Sequence, residues 1–144
     1  MVKVCFVLLL EQGHLAMCAS IGKYLLAKDP KNEVLFITDD EFEPAIKRQC
    51  SKFQTILFKQ PEGVQERHKA KLNNKLDLWK MEHKESYKLM VKNFISMLEL
   101  WQSRQFIVKD LVESIENLDF LFIENLFNLP FLQTSKVKWG MVIR

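Results

Sequence analysis

Residues 2–38 read VKVCFVLLLEQGHLAMCASIGKYLLAKDPKNEVLFIT, and the period of their hydropathy changes twice along the way. Val2 to Leu10 is apolar almost throughout and rich in β-branched and aromatic side chains. A strand covered on both faces has this composition, and such strands belong to parallel sheets. Glu11 to His14 is a short polar turn with one glycine. From Leu15 to Ala27, apolar residues recur at helical spacing: Leu15, Cys18, Ile21, Leu25 and Leu26. Asp29 and Pro30 end that helix, because the proline ring cannot continue it. Glu33 to Thr38 is a second short apolar strand.

The alternation continues outward from this stretch. Asp39 to Phe42 is a polar turn, Glu41 to Cys50 a short helix with Pro44 in its first turn, and Phe53 to Phe58 a third strand. Strand, helix, strand, helix, strand is the opening of a doubly wound α/β sheet with right-handed crossovers. Gln60 to Gln65, with Pro61 and Gly63, is a loop. A long, charged helical insert then runs from about 66 to 117. In it Leu72, Leu76, Trp79, His83, Tyr87, Met90, Phe94, Leu98 and Trp101 recur every three or four residues. Such a stripe packs into a core or lines a pocket for an apolar ligand, and core packing is the first expectation. A second helical face follows in Phe106, Ile107, Leu111, Val112 and Ile115. Leu118 to Ile123 is a fourth strand, Leu126 to Ser135 holds a short helix near Pro130, and Trp139 to Ile143 is a fifth strand. No helix follows to cover that last strand, so residues 1–144 are expected to be an incomplete domain.

Composition narrows the class. The 144 residues suit one domain, and 48% hydrophobic against 27% charged residues is the balance of a globular protein. A net charge of +3 is too small to argue for nucleic acid, and no nucleic-acid partner is expected. The basic residues do gather: Arg67, Lys69, Lys71, Lys75, Lys80, Lys84, Lys88 and Lys92 lie in one stretch, the solvated face of a helix on the plainest reading. Cys5, Cys18 and Cys50 are odd in number and lack CxxC spacing, so neither a disulfide framework nor a zinc site is expected. The apolar run at the start is shorter than the ~20 residues of a membrane helix. No small-residue cleavage site follows it. The expectation is a cytoplasmic chain with no signal peptide and no transmembrane segment.

Three places carry possible chemistry, each just after an expected strand. Ligands of open α/β sheets bind outside the carboxyl ends of the strands. Gly13-His14 follows the first strand. One glycine cannot make the three-glycine dinucleotide fingerprint, but an imidazole there can accept a hydroxyl proton near neutral pH. The same residue can equally be a polar turn residue capping the helix. Glu124-Asn125 follows the fourth strand. Its carboxylate could orient the His14 ring and stabilise its charged form, as the acid of a triad does, or simply face water. Asp119 begins that strand, on the opposite edge, and is expected to be too far away. Thr38-Asp39-Asp40 could bind a ribose hydroxyl or a metal, yet a turn capping the next helix accounts for it more simply. His68 and His83 have no partner at metal-ligand spacing, and neither a GxSxG elbow nor a GxxxxGK[ST] loop occurs.

Taken in order, the opening stretch and LDFLFIENLFNLPFLQTSKVKWGMVI near the end resemble the UDP-glycosyltransferase family, which includes glucuronosyl- and plant glucosyltransferases. The resemblance touches both ends of the chain, with a variable middle between. It implies a GT-B fold of two Rossmann-like halves, with this chain as part of the amino-terminal, acceptor-binding half. The sheet is then a Rossmann-like parallel sheet with helices on both faces and a helical insert. His14 matches the family's general base, which deprotonates the hydroxyl of a small lipophilic acceptor so that it attacks and inverts the sugar's anomeric centre. Glu124 takes the place of the partner acid, usually an aspartate and one methylene shorter. Gly13 and the insert residues Trp79, Tyr87, Phe94 and Trp101 are candidates for the acceptor site. No metal or cofactor is implied. The UDP-sugar is a co-substrate bound mainly by the carboxyl-terminal, donor-binding half, whose signature is absent from these residues, so the fragment alone is expected to be inactive. The competing reading is a non-catalytic α/β module that binds a lipophilic ligand or a protein partner. A dehydrogenase-type nucleotide domain is disfavoured by the missing glycines.

Overall fold

A computed structural model of the chain describes residues 1–8, 12–40, 42–59, 87, 88, 90–92, 95, 105–124 and 137–142, with the backbone alone at 12, 13, 124 and 142. These residues fall into two compact units, Met1–Phe58 with Ile107–Arg144, and Lys59–Phe106.

The first unit is a five-stranded sheet. In chain order its elements are β1 (Lys3–Val7), α1 (Gln12–Lys28), β2 (Glu33–Thr38), α2 (Glu43–Gln49), β3 (Gln54–Leu57), β4 (Phe120–Glu124) and β5 (Lys138–Val142). The strands lie in the order β3-β2-β1-β4-β5, and every neighbouring pair is parallel. The chain therefore winds outward from β1 to β3, then returns to the other side of β1 for β4 and β5. This is the α/β, Rossmann-like arrangement expected from the alternating pattern, with its switch point between β1 and β4.

Each sheet face has its own core. On one face Val4, Phe6 and Leu8 of the first strand region pack with Val34 and Phe36, beneath Leu15, Cys18 and Ala19 of α1 and Ile46 of α2. Phe6 pairs in register with Phe36 and Phe122, and its ring stacks on both at 5.0 Å between centroids. Three phenyl rings thus form a row across three strands, each contact contributing about 0.5–1.5 kcal/mol beyond its buried area. On the other face Cys5, Val7, Leu35, Ile37, Leu121 and Ile123 pack with Val108 and Val112 of the helical residues 107–113. Helices thus cover both faces. This explains why β1 and β2 read as unbroken apolar runs. At Gly22 α1 lies close against the sheet side: a Cβ there would stand 2.9 Å from the Phe53 ring and 3.0 Å from Val34.

Several boundaries differ from the sequence reading. The first strand ends at Val7 rather than at Leu10, and α1 begins at Gln12, so Gly13 and His14 occupy the first helical turn instead of a preceding turn. The first N–H groups of a helix have no intrahelical acceptor, so its first turn tolerates polar residues that would read as a turn. His14 also starts the buried arc of the helix, with Leu15, Cys18, Ala19 and Gly22. Position 124 is likewise the last residue of β4, not the first after it.

In the second unit the described residues Tyr87, Lys88, Met90, Val91, Lys92 and Ile95 are helical. Tyr87 and Met90 belong to the stripe expected to pack into a core, and both are exposed. Periodicity fixes which residues share a face, but not whether another surface covers that face. The rest of the stripe lies outside the described residues, as do residues 60–65 and 125–136.

Candidate functional site

The carboxyl edge of the sheet collects the candidate residues of the first unit. Val7 is level with Ile37 on one side and Ile123 on the other. Leu8 donates its N–H to the Ile37 carbonyl at 3.0 Å. The next row across the sheet is therefore Leu57, Thr38, Leu8, Glu124 and Val142. Thr38 and Glu124 flank the end of β1 from its two sides, and α1 rises just beyond that end with His14 in its first turn. The topology thus puts the first turn of α1, with His14, and the last residue of β4, position 124, at one edge of one parallel sheet.

Three polar residues of this edge are closed to solvent. His14 is 3% exposed, Thr38 0% and Asp39 8%. Thr38 continues the alternation of Val34 and Phe36, so its hydroxyl lies on the face that α1 and α2 cover. Its Oγ1 is buried with no hydrogen-bond partner among the described residues, an arrangement that costs roughly 1–3 kcal/mol. Sequence reading passed over this hydroxyl in favour of the two acids beside it. The signal it left was a single Thr closing an otherwise apolar strand.

Those acids divide. Asp39 accepts the Phe42 N–H on its carboxylate at 3.0 Å and the Glu43 N–H on its carbonyl at 3.3 Å. It therefore shapes the turn into α2, the local role that its position suggested. Asp40 is exposed. Asp119 lies at the opposite edge, where it accepts the Lys3 N–H at 2.7 Å and donates its own N–H to the Lys3 carbonyl at 3.0 Å.

The thiols are part of the core. Cys5 and Cys18 are fully buried and Cys50 is half-buried, all three as free cysteines. Burial in apolar surroundings pushes the Cys5 thiol up to about 12, against a smaller lowering by its hydrogen bond with the Ile37 backbone. A thiol so hard to ionise is inert as a nucleophile. Of the aromatic candidates, Tyr87 is an exposed helical residue. Trp79, Phe94 and Trp101 lie outside the described residues, as do Asn125, His68 and His83.

No protein-family model and no curated protein sequence matches the chain. Among solved structures it is similar to a UGT transferase from Siraitia grosvenorii, determined in complex with UDP, with a TM-score of 0.57 and 15% sequence identity. The match covers 99% of this chain and 28% of that chain. At this identity the likeness is one of fold. Residues 1–144 share the α/β, Rossmann-like parallel sheet found in about a quarter of a transferase's length.

Proposed function

We propose that the chain is the acceptor-binding part of a UDP-sugar-dependent glycosyltransferase, with His14 as general base and Glu124 as its orienting acid. The observation that carries this reading is the parallel pairing of β1 with β4, Val7 level with Ile123. That register puts the start of α1 and the end of β4 at a common edge, where doubly wound sheets bind their ligands. The two-residue repeat of a strand carries position 124 on the face of Phe120 and Phe122, the face that α1 covers. The fold likeness to a UDP-bound transferase supports the same class of chemistry.

On this reading the His14 imidazole takes the proton of an acceptor hydroxyl as the oxygen attacks the anomeric carbon of the sugar. The new C–O bond forms opposite the breaking bond to UDP, so the centre inverts, and UDP departs with the bonding electron pair. The carboxylate of Glu124 stabilises the imidazolium and fixes which ring nitrogen faces the acceptor. The donor is held by a second half beyond these residues.

The test is sugar transfer by the chain joined to a donor-binding half, before and after His14→Ala and His14→Gln. Loss on the order of 10²–10⁴-fold in kcat, with an unchanged circular-dichroism spectrum, is expected of a general base. Full activity in either folded variant removes the assignment.

A further inference from the structure

The helical residues of the second unit show a second feature, separate from the sheet edge. Tyr87, Met90, Val91 and Ile95 are between 40% and 69% exposed. At about 100° per residue they fall within one arc of roughly 140°, and Lys88 and Lys92, both exposed, adjoin one border of it. The surrounding sequence is basic. Residues 66–92 hold eight Lys and Arg against four Asp and Glu, a surplus of four. The whole chain has a net charge of only +3, so this stretch carries all of its positive excess.

We propose that this face docks on an anionic lipid surface. An exposed apolar arc edged by lysines is the pattern of a helix lying in the plane of a membrane interface. Its apolar side chains enter the acyl boundary, and its lysines reach back to acidic headgroups. The surplus of four positive charges over residues 66–92 complements the charge of acidic headgroups. The helix lies on the membrane rather than crossing it: no helix among the described residues is long and apolar enough to span a bilayer. Binding combines two terms. The apolar arc supplies a salt-insensitive part. Each lysine near an acidic surface adds about fivefold in affinity, and salt weakens that part.

The experiment is vesicle flotation of the purified chain, with phosphatidylcholine alone and with phosphatidylserine added, at low and high salt. The wild-type chain is expected to float with the acidic vesicles and to bind less at high salt. Lys88→Glu with Lys92→Glu should lower partitioning at low salt by at least roughly tenfold. Val91→Ser with Ile95→Ser should lower it at both salts. All these positions are exposed, so the variants should melt with the wild type. Failure of the wild type to float, or flotation unchanged in both double variants, overturns the proposal. So does a concentration-dependent dimer that Val91→Ser with Ile95→Ser dissolves while acidic vesicles bind nothing, since the face would then join two copies of the chain.

Discussion

The two edges of the sheet use their polar residues in opposite ways. At the amino edge several polar groups hold one element to another. Asn32 accepts the Val2 N–H at 2.7 Å and donates to the Leu25 carbonyl at 2.8 Å, tying the entry to β1 to the end of α1. Asp119 ties β4 to Lys3, the Lys3 ammonium meets Glu33 at 3.1 Å, and the amino terminus approaches Asp29 at 3.6 Å. At the carboxyl edge, among the described residues, Asp39 shapes the turn to α2. The Thr38 hydroxyl is buried without a partner among the described residues, and His14 is buried at the head of α1. Polar groups that strand pairing does not require, kept away from water, are where chemistry is to be sought.

Substitutions can break that contrast. After His14 itself, the largest effect is expected at position 124 in the chain joined to a donor half. Glu124→Gln should lower kcat on the order of 10²-fold, because the ring loses its orienting charge. Asp119→Asn, an equal change at the other edge, should leave kcat within about twofold. Steady-state transfer kinetics decide this, and equal losses would erase the distinction between the edges. Asn32→Ala comes next. It strands a part-buried N–H and a part-buried carbonyl, so urea titration should show a loss of about 1–2 kcal/mol.

Between the edges, Cys5 tests the dryness of the core through pH. Its folded value, about 12, lies above the ordinary 9.0. Above pH ~9 the unfolded thiol ionises while the folded one keeps its proton. The unfolded state then binds fewer protons, and stability falls as pH rises toward the folded value, by up to ~1.4 kcal/mol per pH unit. Below pH ~9 both states hold the proton, and this slope vanishes. Cys5→Ala should remove this component, measured as a shallower decline of unfolding free energy between about pH 9 and 10.5. The smallest effect sharpens the contrast most. Thr38→Val removes a hydroxyl without a partner among the described residues, so stability should stay level or rise by up to about 1 kcal/mol. A loss like that of Asn32→Ala would show that the hydroxyl has a structural partner.

Much of the fold was legible because hydropathy period reports directly on burial. β2 runs from Glu33 to Thr38 in the sequence reading and in the structure alike. Pro44 sits in the first turn of α2 as expected. The start of α1 was hidden, because polar residues in a first helical turn look like a loop. The exposure of Tyr87 and Met90 was hidden for another reason: a stripe records a shared face, and its cover belongs to tertiary structure. At the candidate site, the residue types after the strands were visible. The row that sets Thr38 and Glu124 on either side of β1 depends on strand order and register, which local pattern does not contain. The Thr38 hydroxyl stood in plain sight, but a lone threonine at a strand end signals nothing until its burial is known.

The pairing of His14 with Glu124 is tested most directly by a double-mutant cycle on kcat/KM for sugar transfer, using His14→Ala, Glu124→Ala and both together. If the acid acts through the ring, the double variant should be scarcely slower than His14→Ala alone. Losses that multiply would mean that the two residues act apart, and a shared catalytic edge would be contradicted.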